Sequence, residues 1–236
     1  MTQVLKKHSE LTSELGPSQA AKLHRILIIE DHPLMREGIS MWVDQEPGLE
    51  VCGQFGTAAA GMGGVARLKP DAVLCDITLT QGNGLELLKD IHAFSPDLPV
   101  IMLSMHDESI YALRAMRAGA RGYVMKQAGG EEVVAAIHQV MSGNHAFSSK
   151  VTNQIMAELS GLQRNRQSPV AALTDREFEI LQLYGAGNSS GEIAKILNLS
   201  PKTVGTHRIN MCRKLDLKST SELIRLGVHY SESFMS

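Results

Sequence analysis

Three acids, one hydroxyl and one ammonium occupy positions that a single sheet edge would gather: Glu30, Asp31, Asp76, Ser104 and Lys126. Each follows or ends a short apolar run, at residues 25–29, 72–75, 100–103 and 122–125. Clustered carboxylates repel one another and call for a cation. Oxygen-only ligands suit a hard ion that keeps several waters, which points to Mg2+ on Glu30, Asp31 and Asp76. The ion would neutralise the cluster and orient an incoming phosphoryl group, and a carboxylate would then attack phosphorus to form an acyl phosphate. Lys126 and Ser104 would hold the new phosphoryl oxygens, one by charge and one by a hydrogen bond. Positioning and charge neutralisation carry most of such chemistry, so little other machinery is required. A single Asp after a strand is commonly a helix cap or turn former. The signal is therefore the joint placement at four strand ends.

That placement requires a parallel sheet. Apolar runs recur at 25–29, 49–55, 72–75, 100–103 and 122–125, of the kind buried parallel strands carry. Between them lie stretches of helical period: Leu85, Leu88, Ile91 and His92; Ile110, Leu113, Met116 and Arg117; Val133, Val134, Ile137, Val140 and Met141. Five alternations over about 120 residues predict a doubly wound α/β domain with a five-stranded parallel sheet, flavodoxin-like, and helices on both faces. In such a sheet the functional crevice lies beyond the carboxyl ends of the strands.

Gly143-Asn144 closes the last helix of this domain, and residues 144–173 form a connector. Residues 151–162 are expected to include a helix, and 163–169 to be a polar, flexible stretch. From Leu173 the pattern is purely helical, four short helices in about 60 residues. Thr174 to Glu177 reads as a capping box. Ser200-Pro201 is a strong helix start, with a cap followed by proline at the first position. Ile193, Ala194, Leu197 and Val204 are placed to pack the second and third of these helices together.

The third helix carries Lys202, His207, Arg208, Arg213 and Lys214 and no acid up to Lys214. At 100° per residue, Val204, Met211 and Leu215 share a core-facing line, and Lys202, Thr206, Ile209 and Arg213 share the opposite one. That outward line is what a recognition helix presents to the major groove. Lys202 and Arg213 would meet phosphates or guanine, Thr206 a base edge and Ile209 a thymine methyl, with Asn210 beside them to read adenine. Thr203 and His207, on the same helix, complete the DNA-contact candidates.

Composition sets the frame. Of 236 residues, 43% are hydrophobic and 20% charged, enough to bury a core without disulfides. Cys52, Cys75 and Cys212 form no CxxC pair, which argues against zinc and redox motifs and for free thiols. No apolar run is long enough to span a bilayer and no signal peptide is evident, so the expected location is cytoplasmic. The net charge of −2 is unevenly spread: residues 25–150 carry 10 Lys and Arg against 15 acids, and residues 170–236 carry 8 against 7. The expected domains are an N-terminal extension (1–24), an acidic α/β domain (25–145), a linker (146–169) and a small helical domain (170–236).

Residues 25–31, 71–84, 99–104 and 118–126 resemble the receiver domains of bacterial response regulators. Leu173 to Glu177, Glu192 to Ala194, Leu199 to Val204, His207 and Arg213 to Leu215 resemble the LuxR-type helix-turn-helix of the NarL/FixJ family. The resemblance implies Glu30 and Asp31 as metal acids, Asp76 as phosphoacceptor, Ser104 and Lys126 as switch hydroxyl and lysine, and Tyr123 as switch aromatic. It also implies phosphorylation by a sensor histidine kinase, dimers formed through the fourth C-terminal helix on paired half-sites of double-stranded DNA, and RNA polymerase as a further partner. The receiver would catalyse its own phosphorylation and dephosphorylation without being a turnover enzyme.

Four departures stand out. Leu79-Thr80 replaces the usual Met-Pro, Asn83-Gly84 the usual acid-Gly, Ser190-Gly191 a polar or basic pair, and Gly205 a larger residue. One expected control is masking of the third C-terminal helix by the acidic receiver, released on phosphorylation. A second reading keeps DNA binding and drops phosphorylation as its control. A third, a phosphatase with Asp76 as nucleophile, is disfavoured because Asp76-Ile77-Thr78 lacks the second acid of an Asp-x-Asp motif.

Overall fold

The computed structural model describes residues 23–79, 82–105, 108–159 and 169–231. The expected extension falls almost wholly outside these, as do residue 80 and most of the polar stretch at 163–169.

The strands are β1 (His24–Ile29), β2 (Leu49–Phe55), β3 (Ala72–Asp76), β4 (Val100–Ser104) and β5 (Gly122–Met125). All pair in parallel in the order β2-β1-β3-β4-β5. Helices α1 (Pro33–Gln45), α2 (Ala58–Leu68), α3 (Gly84–Phe94) and α4 (Glu108–Arg117) make the crossovers, and α5 (Gly130–Met141) follows the last strand. The sheet is buried on both faces, which explains the near-continuous apolar runs. Alternate β1 residues split between two cores. Ile26 and Ile28 pack with Ile39, Val43 and Ile137, whereas Leu27 and Ile29 pack with Val65, Leu88 and Ile91.

The starts of these helices are set locally. Pro33 presets the first turn of α1. Thr57 caps α2 by accepting from Ala60 N–H, and Asn83 caps α3 by accepting from the N–H groups of Leu85 and Glu86. The inward face of α4 differs from the expected one. Tyr111, Ala112 and Ala115 are buried, while Leu113 and Met116 are only half-buried. The face is turned because Tyr111 packs on a residue of the second domain, Phe178, in an edge-to-face contact at 5.3 Å.

The connector is partly built into the receiver. After α5 the chain folds back along β5, where Tyr123 N–H donates to Ala146 O and Ala146 N–H to Arg121 O, both at 2.8 Å. This pairing covers part of an otherwise open sheet edge. Helix α6 (Ser149–Leu159) then lies against α4.

The second domain contains α7 (Asp175–Gly185), α8 (Ser190–Ile196), α9 (Pro201–Lys214) and α10 (Thr220–Ser231). The capping box at Thr174 and Glu177 is formed, and Ser189 with Glu192 makes a second one. Helices α7 and α10 cross at Gly185 and Gly227. A Cβ on Gly185 would lie 2.1 Å from the Gly227 carbonyl carbon, so only glycine permits this approach. No helix among the described residues is long and apolar enough to cross a membrane.

Candidate functional site

The β2-β1-β3 order places the point where the winding direction changes between β1 and β3, and the predicted acids stand at its carboxyl edge. Glu30 follows β1 and is fully buried, Asp76 ends β3 at 2% exposure, and Ser104 ends β4 at 1%. Lys126 follows β5 in a short 3-10 turn. Its Nζ lies 2.6 Å from Glu30 Oε2 and 2.9 Å from Asp76 Oδ2, bridging the two carboxylates. The other Asp76 oxygen, Oδ1, accepts from Thr78 N–H at 3.2 Å. All five residues expected to do the chemistry are thus at one strand-end edge. Tyr123 is buried in β5.

Burial pushes the Asp76 carboxyl up to about 7, against the pull of Lys126 and with the repulsion of Glu30 adding to it. Burial also works against the charge on Lys126, but Asp76 and Glu30 outweigh it and raise the pKa of the ammonium. The pocket is a strained balance of two buried anions on one cation.

One member escaped the sequence reading. His32 joins Glu30, Asp31 and Asp76, each offering one ligand atom within 4.8 Å of the others. Its Nδ1 is 2.9 Å from Asp31 Oδ1. The signal available was its adjacency to Asp31 just before the helix-starting Pro33. The donor set is mainly carboxylate oxygen, and it already draws an ammonium between two of its members. A hard divalent cation such as Mg2+ fits it.

In the second domain the sorting of α9 into two faces is realised. Val204 and Met211 are fully buried and Leu215 is half-buried. Lys202, Thr206, Ile209 and Arg213 are exposed, Ile209 at 66%. Thr203, His207 and Asn210 are half-buried beside them. Arg213 Nη2 donates to Asn210 Oδ1 at 3.3 Å, which couples two of the candidate readers. Thr203 sits at the cap, where its N–H donates to Ser200 Oγ at 3.0 Å.

The expected masking of α9 is not what the structure contains. The receiver meets α7 instead, and the outward line of α9 remains exposed. The physical reason is charge and shape. Lys89 and Arg114 of the receiver find Asp175 at the start of α7, and Tyr111 finds Phe178. Of the basic side chains of α9, Lys202 and Arg213 stay exposed, whereas Lys214 Nζ reaches Glu177 of α7 at 2.6 Å.

Comparison with known proteins decides the family. The response regulator receiver domain matches residues 26–138, and the luxR family of bacterial regulatory proteins matches residues 171–226. The chain is 34% identical over 206 residues to the response regulator UvrY of Escherichia coli K12, covering 87% of this chain and 94% of that one. The chain belongs to the NarL/FixJ family of response regulators. Among solved structures, a LuxR-family two-component response regulator from Aurantimonas sp. SI85-9A1 is 31% identical with a TM-score of 0.55, covering 59% of this chain and 99% of that one. RcsB of Salmonella typhimurium shares the fold, with a TM-score of 0.64 at 24% identity, covering 90% of this chain and 98% of that one. As a response regulator it is a two-component regulatory protein of transcription with a receiver and a LuxR-type DNA-binding domain, not a metabolic enzyme.

Proposed function

We propose that Asp76 accepts a phosphoryl group from a phosphohistidine of a sensor kinase, and that this modification controls binding of α9 to DNA. One Asp76 oxygen attacks phosphorus as the P–N bond to the donor imidazole breaks, and the imidazole leaves with its electron pair and takes up a proton. Lys126 supports the step because its ammonium has three N–H donors and only two are turned to carboxylates, leaving one for a phosphoryl oxygen. Ser104, at the end of the neighbouring strand, is the hydroxyl that would follow the new phosphoryl group. Tyr123, buried one strand further on, would move with it. Glu30, Asp31 and Asp76 are the residues that would hold Mg2+, which when bound supplies charge neutralisation and orientation of the phosphoryl oxygens.

The DNA-facing role rests on the exposed line Lys202, Thr206, Ile209 and Arg213, with Thr203, His207 and Asn210 beside it. Double-stranded DNA is the partner this surface fits, and RcsB supports the reading, since one of its structures holds promoter DNA with a phosphate mimic. A homodimer would use α10, where Ile224 and Val228 are exposed one turn apart. RNA polymerase is the partner through which a bound dimer would act on transcription. Thr78 takes the place of the second acid in an Asp-x-Asp motif, which disfavours turnover of small phosphate esters.

The single observation that carries this reading is Lys126 Nζ bridging Glu30 and Asp76 at the sheet's carboxyl edge. The experiment is incubation of the full chain with acetyl phosphate and Mg2+, followed by mass spectrometry and promoter-fragment binding. The expected result is one phosphoryl group on Asp76 and tighter DNA binding, both absent in Asp76→Asn. Equal labelling of Asp76→Asn, or DNA binding indifferent to it, would overturn the proposal.

A further inference from the structure

The contact between the domains lies over the acid pocket. A cavity of about 260 Å³ runs between them, lined by Asp31, His32 and Thr78 on the receiver and by Glu179, Leu183 and Leu197 on α7 and the end of α8. Asp31 and Thr78 are the residues flanking Asp76, and Asp76 itself is almost fully buried. The approach to Asp76 past Asp31 and Thr78 therefore faces the DNA-binding domain.

Three sets of polar contacts fasten this seam. Asp175 takes Lys89 Nζ at 2.7 Å and Arg114 Nη1 at 3.0 Å. Arg114 also donates to the carbonyls of Leu173 and Val170, and its guanidinium lies 4.8 Å over the Phe178 ring. Tyr111 O–H donates to Gln182 Oε1. Closest to the pocket, Asn83 Nδ2 donates to Glu179 Oε2 at 3.2 Å, while Asn83 Oδ1 caps α3.

Asn83 is one of the positions where this chain departs from the receiver pattern. An acid there would cap α3 equally well, because the cap needs only an acceptor. It could not donate to Glu179. It would set a carboxylate against Glu179, beside Glu86, with Arg176 as the one cation paired to Glu179 at 2.9 Å among the described residues. Burial already pushes the Glu179 carboxyl up, so added negative charge would be poorly tolerated. The amide is the choice compatible with a docked α7.

We infer that the DNA-binding domain, latched by Asn83 to Glu179, competes with the protein phosphodonor for the mouth of the acid pocket. The inference rests on Asp76 being the phosphoacceptor. Size separates the two classes of donor. A cavity of about 260 Å³ admits a molecule as small as acetyl phosphate. A donor histidine borne on a helix, roughly 10 Å across with its side chains, cannot enter while α7 is in place. The seam thus screens protein donors more than small ones, and a kinase that does engage must displace α7.

The test uses the full chain in four forms: wild type, Asn83→Asp, Arg114→Ala as an independent way to open the seam, and Asn83→Asp with Glu179→Gln. The last restores a hydrogen bond with donor and acceptor exchanged. Phosphorylation of Asp76 is timed with acetyl phosphate and with the autophosphorylated kinase domain that donates fastest to Asn83→Asp in a panel of the host's sensor kinases. Small-angle scattering reports domain separation. The expected result is a larger radius of gyration and roughly tenfold faster kinase transfer for both opened variants, acetyl phosphate rates within about twofold, and return toward wild type in the double variant. Opened variants that stay compact, or that gain equally or not at all with both donors, overturn the inference while leaving Asp76 as phosphoacceptor. Absence of labelling by acetyl phosphate in wild type overturns the acceptor assignment itself. Failure of every kinase domain to donate to Asn83→Asp overturns the protein-donor competition.

Discussion

Replacing Asp76 with Asn is expected to stabilise the metal-free protein near pH 8 rather than weaken it. Asp76 is 2% exposed, and burial raises its pKa from 3.8 to about 7 despite Lys126. Between those values the folded state keeps a proton that the unfolded chain has released. Stability therefore falls as pH rises from about 4 to about 7 and stays low above that. A rise of about three units at about 1.4 kcal/mol each sets a ceiling of about 4 kcal/mol on the destabilisation by the ionised carboxylate. That ceiling already includes the attraction of Lys126, which keeps Glu30 as its partner at 2.6 Å, and the buried amide carries a desolvation cost of its own. A net gain of about 1–2 kcal/mol remains, or roughly 5 °C in the receiver transition. Thermal unfolding of both proteins in chelator, from about pH 4 to pH 8, measures the gap. It should shrink as pH falls through the raised range, because wild-type Asp76 becomes protonated. It should also shrink on adding Mg2+, which only the carboxylate site holds well. A variant less stable than wild type at about pH 8 without metal would refute the reading of the pocket as two anions competing for one cation.

Other outcomes follow from close contacts and exposed charges. Gly84→Ala would set a Cβ 1.9 Å from the Asp76 carbonyl oxygen, so the loop carrying the acid must shift. The expected cost is about 3 kcal/mol or more in denaturant unfolding, with impaired phosphorylation, and a loss under about 1 kcal/mol would contradict the contact. Lys202→Ala and Arg213→Ala should each weaken DNA binding, and each that neutralises a phosphate should lower the slope of log affinity against log salt by about one. Ile209→Ala should cost about 1 kcal/mol only on sites with a thymine at the facing position, read by competition among operator variants.

The acid pocket was legible because parallel pairing sends every strand's carboxyl end to one edge. Residue type at the end of an apolar run then suffices to nominate Glu30, Asp31, Asp76, Ser104 and Lys126. The faces of α9 were legible because helical geometry alone sorts them, and its buried line needs only apolar residues at Val204, Met211 and Leu215. What depended on the meeting of two domains was not legible. Tyr111 and Arg114 read as ordinary members of α4, and Asp175 as an N-terminal helix acid, until the packing of α7 brings them together. Charge totals suggested an acidic receiver over a basic helix, but a net balance has no direction. The contact forms where Lys89 and Arg114, two cations of that acidic domain, meet one carboxylate.

Under the proposed function, the seam is the element whose opening would link phosphorylation to DNA binding. The two ends of the loop after Asp76 meet at Gly84. Gly84 N–H donates to Ile77 O at 2.9 Å, and Gly84 packs against the Asp76 carbonyl. Asn83, one residue before, holds Glu179 on α7. Two residues back along α7, Glu177 takes Lys214 Nζ at 2.6 Å, at the end of α9. Burial works to raise the Glu177 carboxyl, but its bonds to Lys214 and Thr174 prevail and lower it, so this joint is charged in ordinary conditions. A shift of the loop on phosphorylation would thus act on α7 through Asn83 and Glu179 and on α9 through the Glu177–Lys214 ion pair. Spatial continuity alone does not establish coupling. It predicts a sign, however. Because binding energies are reciprocal, operator DNA that engages a dimer and pulls α7 away must raise the affinity of Asp76's pocket for a phosphate mimic by the same factor that the mimic raises affinity for that DNA. Measuring beryllofluoride affinity with and without operator, in wild type and in Asn83→Asp, tests that equality. The coupling factor should drop toward one in the variant, whose seam is already open.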